Sequence, residues 1–190
     1  MLSKNLYSDY TDSELMALLK TNKQDGFEEL YNRYGQKLFS YFFRMLWKDK
    51  ELAEDFTQEL FLKVINNVHS FSLEKNFSTW LYSIANNMCK NEYRKQEVRI
   101  RHSANAVKPP AVELINPDWK KFKEAVFGCI NELPDDKKSL YLLRFQDNLP
   151  IQEISEILNV PEGTVKSRVF YLLKELKFKL KAFENLTTYP

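Results

Sequence analysis

Between Gly163 and Lys174, six residues recur at helical spacing on one side of the chain: Gly163, Lys166, Ser167, Phe170, Tyr171 and Lys174. The set is small, polar, basic and aromatic. It suits a helix lying in a DNA major groove, with its N-terminal residues at base edges. Another side carries Val165, Val169, Leu172, Leu173, Leu176 and Leu180, an apolar stripe that needs a core. Upstream, Ile151, Ile154, Ile157 and Leu158 make a matching stripe on a shorter helix. Asn159-Val160-Pro161 separates the two, because Pro cannot continue a helix but is accepted at the start of one. Residues 149–180 therefore read as a helix-turn-helix, with DNA as the ligand class. A face of Lys, Ser and Tyr is also what a plain solvated helix shows, so the rest of the chain must decide.

Other chemistries find little support. No Gly-rich loop could cradle a phosphate, and no carboxylate cluster has metal spacing. The two histidines, His69 and His102, have no ligand spacing and complete no Ser/His/Asp or Cys/His set. Cys89 and Cys129 lie far apart inside apolar helical patterns, without a CxxC, and read as reduced core residues. Asp135-Asp136 reads as a first helical turn favoured by the helix dipole. The expectation is a binding protein with no metal, no cofactor and no covalent chemistry.

The elements that must position the helix-turn-helix are helical too. The 190 residues include only four glycines, and alternating apolar/polar runs are almost absent, which argues for an all-α protein. No apolar run approaches the roughly 20 residues of a membrane span. The N-terminus has no apolar block of signal-peptide length, so a cytoplasmic protein is expected. Net charge is +2, but its distribution is uneven. Residues 1–30 carry −3, residues 90–101 carry +3 and residues 163–183 carry +5. Two basic islands suit two separate contacts on a polyanion.

Along the chain, Thr11 and Glu14 form a capping-box pattern for a helix to about Lys20, and Asp25 and Glu28 repeat it. The second helix runs to about Trp47 with Phe27, Leu30, Tyr31, Tyr34, Leu38, Phe42 and Met45 inward. A third spans about Lys50 to Val68, with Leu52, Phe56, Leu60, Val64 and Val68 inward. After a polar and aromatic loop, Ser78 or Thr79 is expected to cap a fourth helix to about Arg99, buried through Trp80, Leu81, Ile84, Ala85, Met88 and Cys89. Residues 102–117 hold three prolines and no sustained period, and read as a flexible linker. Trp119, Phe122, Val126 and Ile130 then open a second helical domain. Pro134 begins its next helix, and the helix-turn-helix closes the four-helix set. The expected division is 1–101, 102–117 and 118–190.

Three segments resemble bacterial RNA polymerase sigma factors of the sigma-70 family, specifically the small extracytoplasmic-function (ECF) group that keeps only domains two and four. Residues 53–63, AEDFTQELFLK, resemble the family's polymerase-binding helix. Residues 77–87, FSTWLYSIANN, resemble its promoter-melting helix. Residues 163–168, GTVKSR, resemble the start of its recognition helix. GTVKSR alone is shared with other regulators; the three in this order and spacing are specific, covering most of the chain from about Asp25 to Leu180.

The resemblance implies an alternative sigma factor that binds core polymerase and directs promoter-specific initiation, including melting. Asp55, Gln58, Glu59 and Leu62, spaced i, i+3, i+4 and i+7, form an acid-amide-apolar face suited to a basic partner helix. The resemblance makes that partner a coiled coil on the large catalytic subunit. A further contact, with the flap of the second large subunit, is implied for the C-terminal domain. Asn87, Lys90, Asn91 and Arg94, with Phe71 and Trp80, are implied at the minus-ten element, where unstacked bases must be captured. Trp80, at a helix start, reads more readily as a core anchor. Lys166, Ser167, Phe170 and Tyr171, with Arg168 and Lys174, are implied at the minus-thirty-five element. There Lys donates to guanine edges or phosphate, and Phe packs on a thymine methyl. Tyr171 departs from the family, where Arg is frequent. Such factors are commonly held by an anti-sigma protein. The rivals are a stand-alone helix-turn-helix regulator, which leaves the 55–62 face without purpose, and a nucleic-acid enzyme.

Overall fold

The computed structural model describes residues 7–21, 24–102 and 119–186. The described residues contain eight α-helices and no strand: α1 (Asp12–Lys20), α2 (Gln24–Met45), α3 (Lys50–Asn66), α4 (Phe77–His102), α5 (Trp119–Asn131), α6 (Asp135–Tyr141), α7 (Ile151–Leu158) and α8 (Glu162–Lys179). Short 3-10 turns follow α3 and α8, and α6 runs on into a π-turn over Leu142–Gln146. The chain divides into two compact units, built chiefly on residues 1–89 and 90–190, with α4 running through the boundary. Residues 103–118, most of the expected linker, lie outside the described residues.

In the first unit α1 starts as its capping box dictates. Thr11 accepts from the Glu14 amide, and the Glu14 carboxylate accepts from the Thr11 amide at 2.7 Å. The Thr11 amide, and the Thr11 hydroxyl at 2.8 Å, both donate to that carboxylate and lower its pKa. Asp25 does not repeat the device. The helix already begins at Gln24, and Asp25 instead accepts from the Tyr7 hydroxyl at 2.9 Å.

The core gathers Leu15, Met16 and Leu19 of α1, Leu30, Leu38, Tyr41, Phe42 and Met45 of α2, Ala53, Leu60, Phe61 and Val64 of α3, and Leu81, Tyr82, Ala85, Met88 and Cys89 of α4. The α3 stripe is rotated from the expected one. Leu52 and Phe56 are only half-buried, while Ala53, Thr57 and Phe61 face inward. The Thr57 hydroxyl is satisfied by the Ala53 carbonyl at 2.7 Å, so its burial leaves no orphan polar group.

A half-buried charge network ties α1 to α2. The Arg33 guanidinium meets Glu29 at 2.8 Å and Asp12 at 3.0 Å, and donates to the carbonyls of Tyr7 and Ser8. Tyr34 donates to the other Asp12 oxygen.

The second unit packs α5 and α6 against α8 over Ile130, Leu133, Leu140, Leu142, Leu143, Ile154, Val165, Leu172, Leu176 and Phe183. Phe122 meets Phe183 edge-on at 5.6 Å. Glu175 of α8 accepts from Lys137 of α6 at 2.6 Å and lies 3.8 Å from Lys179, which in turn reaches Glu132. The Lys137 bond lowers the Glu175 pKa. Cys129 is half-buried rather than fully in the core, and burial pushes its thiol pKa up.

Gly26 marks where α1 and α2 touch. A Cβ there would lie 2.5 Å from the Leu15 carbonyl oxygen and 3.1 Å from Leu18 Cβ. Backbone cannot swing aside as a side chain can. Gly26→Ala is therefore expected to lower stability by about 1–3 kcal/mol, although Ala is the better helix former. A thermal midpoint equal to or above that of the parent chain would contradict this close approach.

Candidate nucleic-acid interface

The helix-turn-helix is built as its residues require. Val160 N–H closes on the Ser155 carbonyl at 3.0 Å, and Asn159 takes a left-handed φ of 54° that Asn tolerates well. Pro161 stands at the N-cap of α8, and its carbonyl accepts from Thr164 and Val165. The π-turn places the Asp147 amide on the Leu142 carbonyl at 3.0 Å, and Arg144 donates to the Leu149 carbonyl at 3.1 Å, turning the chain toward α7.

On α8 the expected contact residues all face outward. Lys166, Ser167, Arg168, Phe170, Tyr171 and Lys174 are exposed, Phe170 at 62% and Tyr171 at 65%. The two rings meet edge-on at 5.4 Å and stand in solvent. Lys166 Nζ lies 3.5 Å from Glu162, one turn back. An exposed pair of that kind contributes about 0.3–0.5 kcal/mol, against about 1–3 kcal/mol for a good base contact, so it does not hold Lys166 away from DNA. Ser167 donates to the Thr164 carbonyl at 3.0 Å. A Cβ on Gly163 would meet nothing within 4 Å. No internal packing calls for glycine there, and the bare first turn leaves room for a close ligand.

The buried stripe of α8 is narrower than expected. Val165, Leu172 and Leu176 are buried and Val169 is half-buried, but Leu173 is 46% exposed. It sits one residue, roughly 100°, round the helix from Leu172. Phe178, at 79%, extends the exposed apolar surface.

The acid-amide-apolar face of α3 is also open. Asp55, Gln58 and Glu59 are exposed and Leu62 is 59% exposed; Glu59 pairs with Lys63 at 3.1 Å. Beside it runs a cleft of about 500 Å³ lined by Tyr31, Gln36, Phe39, Glu54, Thr57 and Gln58. Tyr31, expected inward, is instead 44% exposed, with its ring 4.8 Å from Phe61. The clue in the sequence is Gly35 one turn on: the Tyr31 ring lies over it, where a Cβ would come within 3.4 Å of Tyr31 Cε1.

On α4, Asn87, Lys90, Asn91 and Arg94 form one exposed row. Phe71 does not join it. Its ring is buried, 5.8 Å from Phe77 and 4.9 Å from Trp80, so it anchors the loop from within rather than stacking on a base. Trp80 is half-buried in the same cluster. The cap of α4 is Asn76, not Ser78 or Thr79: its Oδ1 accepts from the Thr79 amide at 3.1 Å, as an Asx N-cap does at the third helical residue.

Among the described residues no group of three His, Cys, Asp or Glu could hold a metal ion, and no helix is long and apolar enough to cross a membrane.

Family models match in two places: Sigma-70 region 2 over residues 30–99 and Sigma-70, region 4 over residues 123–176. The chain is 32% identical over 175 residues to the ECF RNA polymerase sigma factor SigW of Bacillus subtilis, covering 86% of this chain and 93% of that protein. It is 32% identical over 176 residues to the ECF RNA polymerase sigma-E factor of Escherichia coli K12, covering 84% and 89%. Its fold is similar to the sigma factor RpoE of Bartonella quintana, solved with the anti-sigma factor NepR, at a TM-score of 0.65 and 23% identity over 82% of this chain and 96% of that one.

The burial of Phe71 yields a direct test. Phe71→Ala should cost roughly 3–5 kcal/mol of folding stability. Phe170→Ala should leave the denaturation midpoint within about 0.5 kcal/mol of the parent. Equal, small effects in chemical denaturation would show that the Phe71 ring is not part of the core.

Proposed function

The chain belongs to the ECF group of sigma-70 family RNA polymerase sigma factors, and on that footing we propose how its surfaces divide the work of initiation. It is an alternative sigma factor that directs transcription by core RNA polymerase. Residues 1–101 act as domain two, 118–190 as domain four, and 102–117 as the linker threading between them; the two family matches fall on either side of that linker. The α3 face of Asp55, Gln58, Glu59 and Leu62, with the adjoining cleft, grips a coiled coil of the large catalytic subunit. The exposed row on α4 and the loop before it capture minus-ten bases as the duplex opens. Lys166, Ser167, Phe170, Tyr171, Arg168 and Lys174 meet the duplex minus-thirty-five element. The second unit also meets the flap of the second large subunit, and an anti-sigma protein is the expected regulator. The work is binding and melting in the cytoplasm, without covalent chemistry.

The observation that carries this reading is that each motif-bearing helix is buried on one side only. α3 keeps Asp55, Gln58, Glu59 and Leu62 in solvent, α4 keeps Asn87, Lys90, Asn91 and Arg94, and α8 keeps the row from Lys166 to Lys174. A stand-alone regulator would need only α8.

The chain added to core polymerase is expected to yield specific transcripts from promoters of its own genome, where core alone gives none. Failure to bind core or to direct initiation sinks the reading. Tight, specific duplex binding without polymerase in a gel shift would favour the stand-alone regulator. Lys166→Ala should weaken promoter use by about 1–3 kcal/mol if it reads a base, or lower the salt slope by about one if it meets a phosphate, with core binding intact. Asp55→Ala with Gln58→Ala should do the reverse, lowering core affinity by more than about 1 kcal/mol in a pull-down while thermal stability holds.

A further inference from the structure

The loop between α3 and α4 is held from below by α1. Lys20, at the last turn of α1, donates from Nζ to the Phe71 carbonyl at 2.7 Å in a part-buried setting. Ser13, nearly two turns earlier, donates from Oγ to the Leu73 carbonyl at 3.1 Å. The two donors sit on one helix and take two carbonyls two residues apart, so they fix both the height and the direction of the strand between them. The loop adds its own ties: the Lys75 amide closes on the Ser72 carbonyl at 3.0 Å, the Phe71 ring is buried, and Asn76 caps α4. The backbone of 71–73 is thereby turned inward, and Ser72, Leu73, Glu74, Lys75 and Asn76 are all exposed.

We infer that Lys20 and Ser13 are positioning residues for minus-ten recognition, acting through the two loop carbonyls they hold. The inference rests on the proposed reading of this loop as a base-capturing surface. α1 itself ends ten residues before the Sigma-70 region 2 match begins. A loop that must accept an unstacked base gains discrimination from being shaped beforehand, because a slack loop adapts to the wrong base as readily as to the right one. A charged donor on a part-buried carbonyl is the stronger kind of tie, and the neighbouring hydroxyl sets register. Neither side chain needs to touch DNA for this.

The test uses the full chain on core polymerase, transcribing a template library randomised at the minus-ten element and, separately, at the minus-thirty-five element. Lys20→Met keeps the stem and removes the donor; Ser13→Ala removes the hydroxyl; Lys20→Arg restores a cationic donor. Lys20→Met and Ser13→Ala are each expected to lower the preference for the favoured minus-ten bases by about three- to tenfold, the fold-change of one lost hydrogen bond. The minus-thirty-five preference should be unchanged, and Lys20→Arg should recover most of the loss. Unaltered minus-ten preference in the double variant overturns the inference, and so does an equal loss at both elements, which would mark a general folding defect. Should Lys20→Met lower the thermal midpoint, Ser13→Ala carries the test alone. Ser72→Ala and Lys75→Ala separate the two levels. If they shift minus-ten preference while the α1 variants do not, the tether idea falls and the loop reading stands. If none of the four shifts it, the loop reading itself falls.

Discussion

A helix of this chain can present a surface to a partner only because its other side is buried. In α3, Ala53, Thr57, Leu60, Phe61 and Val64 are sequestered, which fixes the rotation of the helix and leaves Asp55, Gln58, Glu59 and Leu62 no direction but outward. In α8, Val165, Leu172 and Leu176 do the same for the row from Lys166 to Lys174. Three or four buried aliphatic side chains, at about 1.5–3 kcal/mol each, exceed any preference the exposed side chains have for a particular rotation. The exposed rows are therefore consequences of core packing. They are formed in the free chain, so on the proposed reading little ordering remains for the moment of binding.

The same argument explains which features could be read from the sequence. Helices, their order, the capping box at Thr11 and the two-sided character of α8 follow from period and local hydrogen-bond chemistry, which involve residues three or four apart. The outward rows on α3, α4 and α8 were legible for that reason. Periodicity gives the width of a stripe poorly, because it cannot tell how wide the neighbouring helices are. Leu173 and Tyr31 both lie at the margin of an apolar stripe, and both emerge exposed. Phe71 erred the other way. A lone aromatic in a polar loop looks available, and only the rings of Phe77 and Trp80, six and nine residues on, show that it is covered. The π-turn after α6 has no local signature that distinguishes it from plain helix.

Charge and shape play different parts in the two units. On α8 Lys166 pairs within its own helix, with Glu162, while Arg168 and Lys174 stand exposed, and Lys179 reaches toward Glu132 beyond α5. Long-range attraction to a polyanion comes from exposed cations and weakens with salt. In the first unit the half-buried Arg33 is spent on Glu29, Asp12 and two backbone carbonyls, and Lys20 on Phe71. Those cations organise the protein; they are not offered to the template.

That division bears on α1, which ends ahead of the Sigma-70 region 2 match. Its inner side is committed to Gly26 and the apolar core, its N-terminal turn to Arg33 through Asp12, and Ser13 and Lys20 to the loop ahead of α4. A nine-residue helix would be marginal in isolation, since nucleation is costly and propagation short. It persists because it is tied on every side. Any partner or substitution that pulls α1 away from the loop must therefore release these two carbonyls, so on the proposed reading of the loop a disturbance at the N-terminal edge reaches base capture through hydrogen bonds rather than through bulk flexibility.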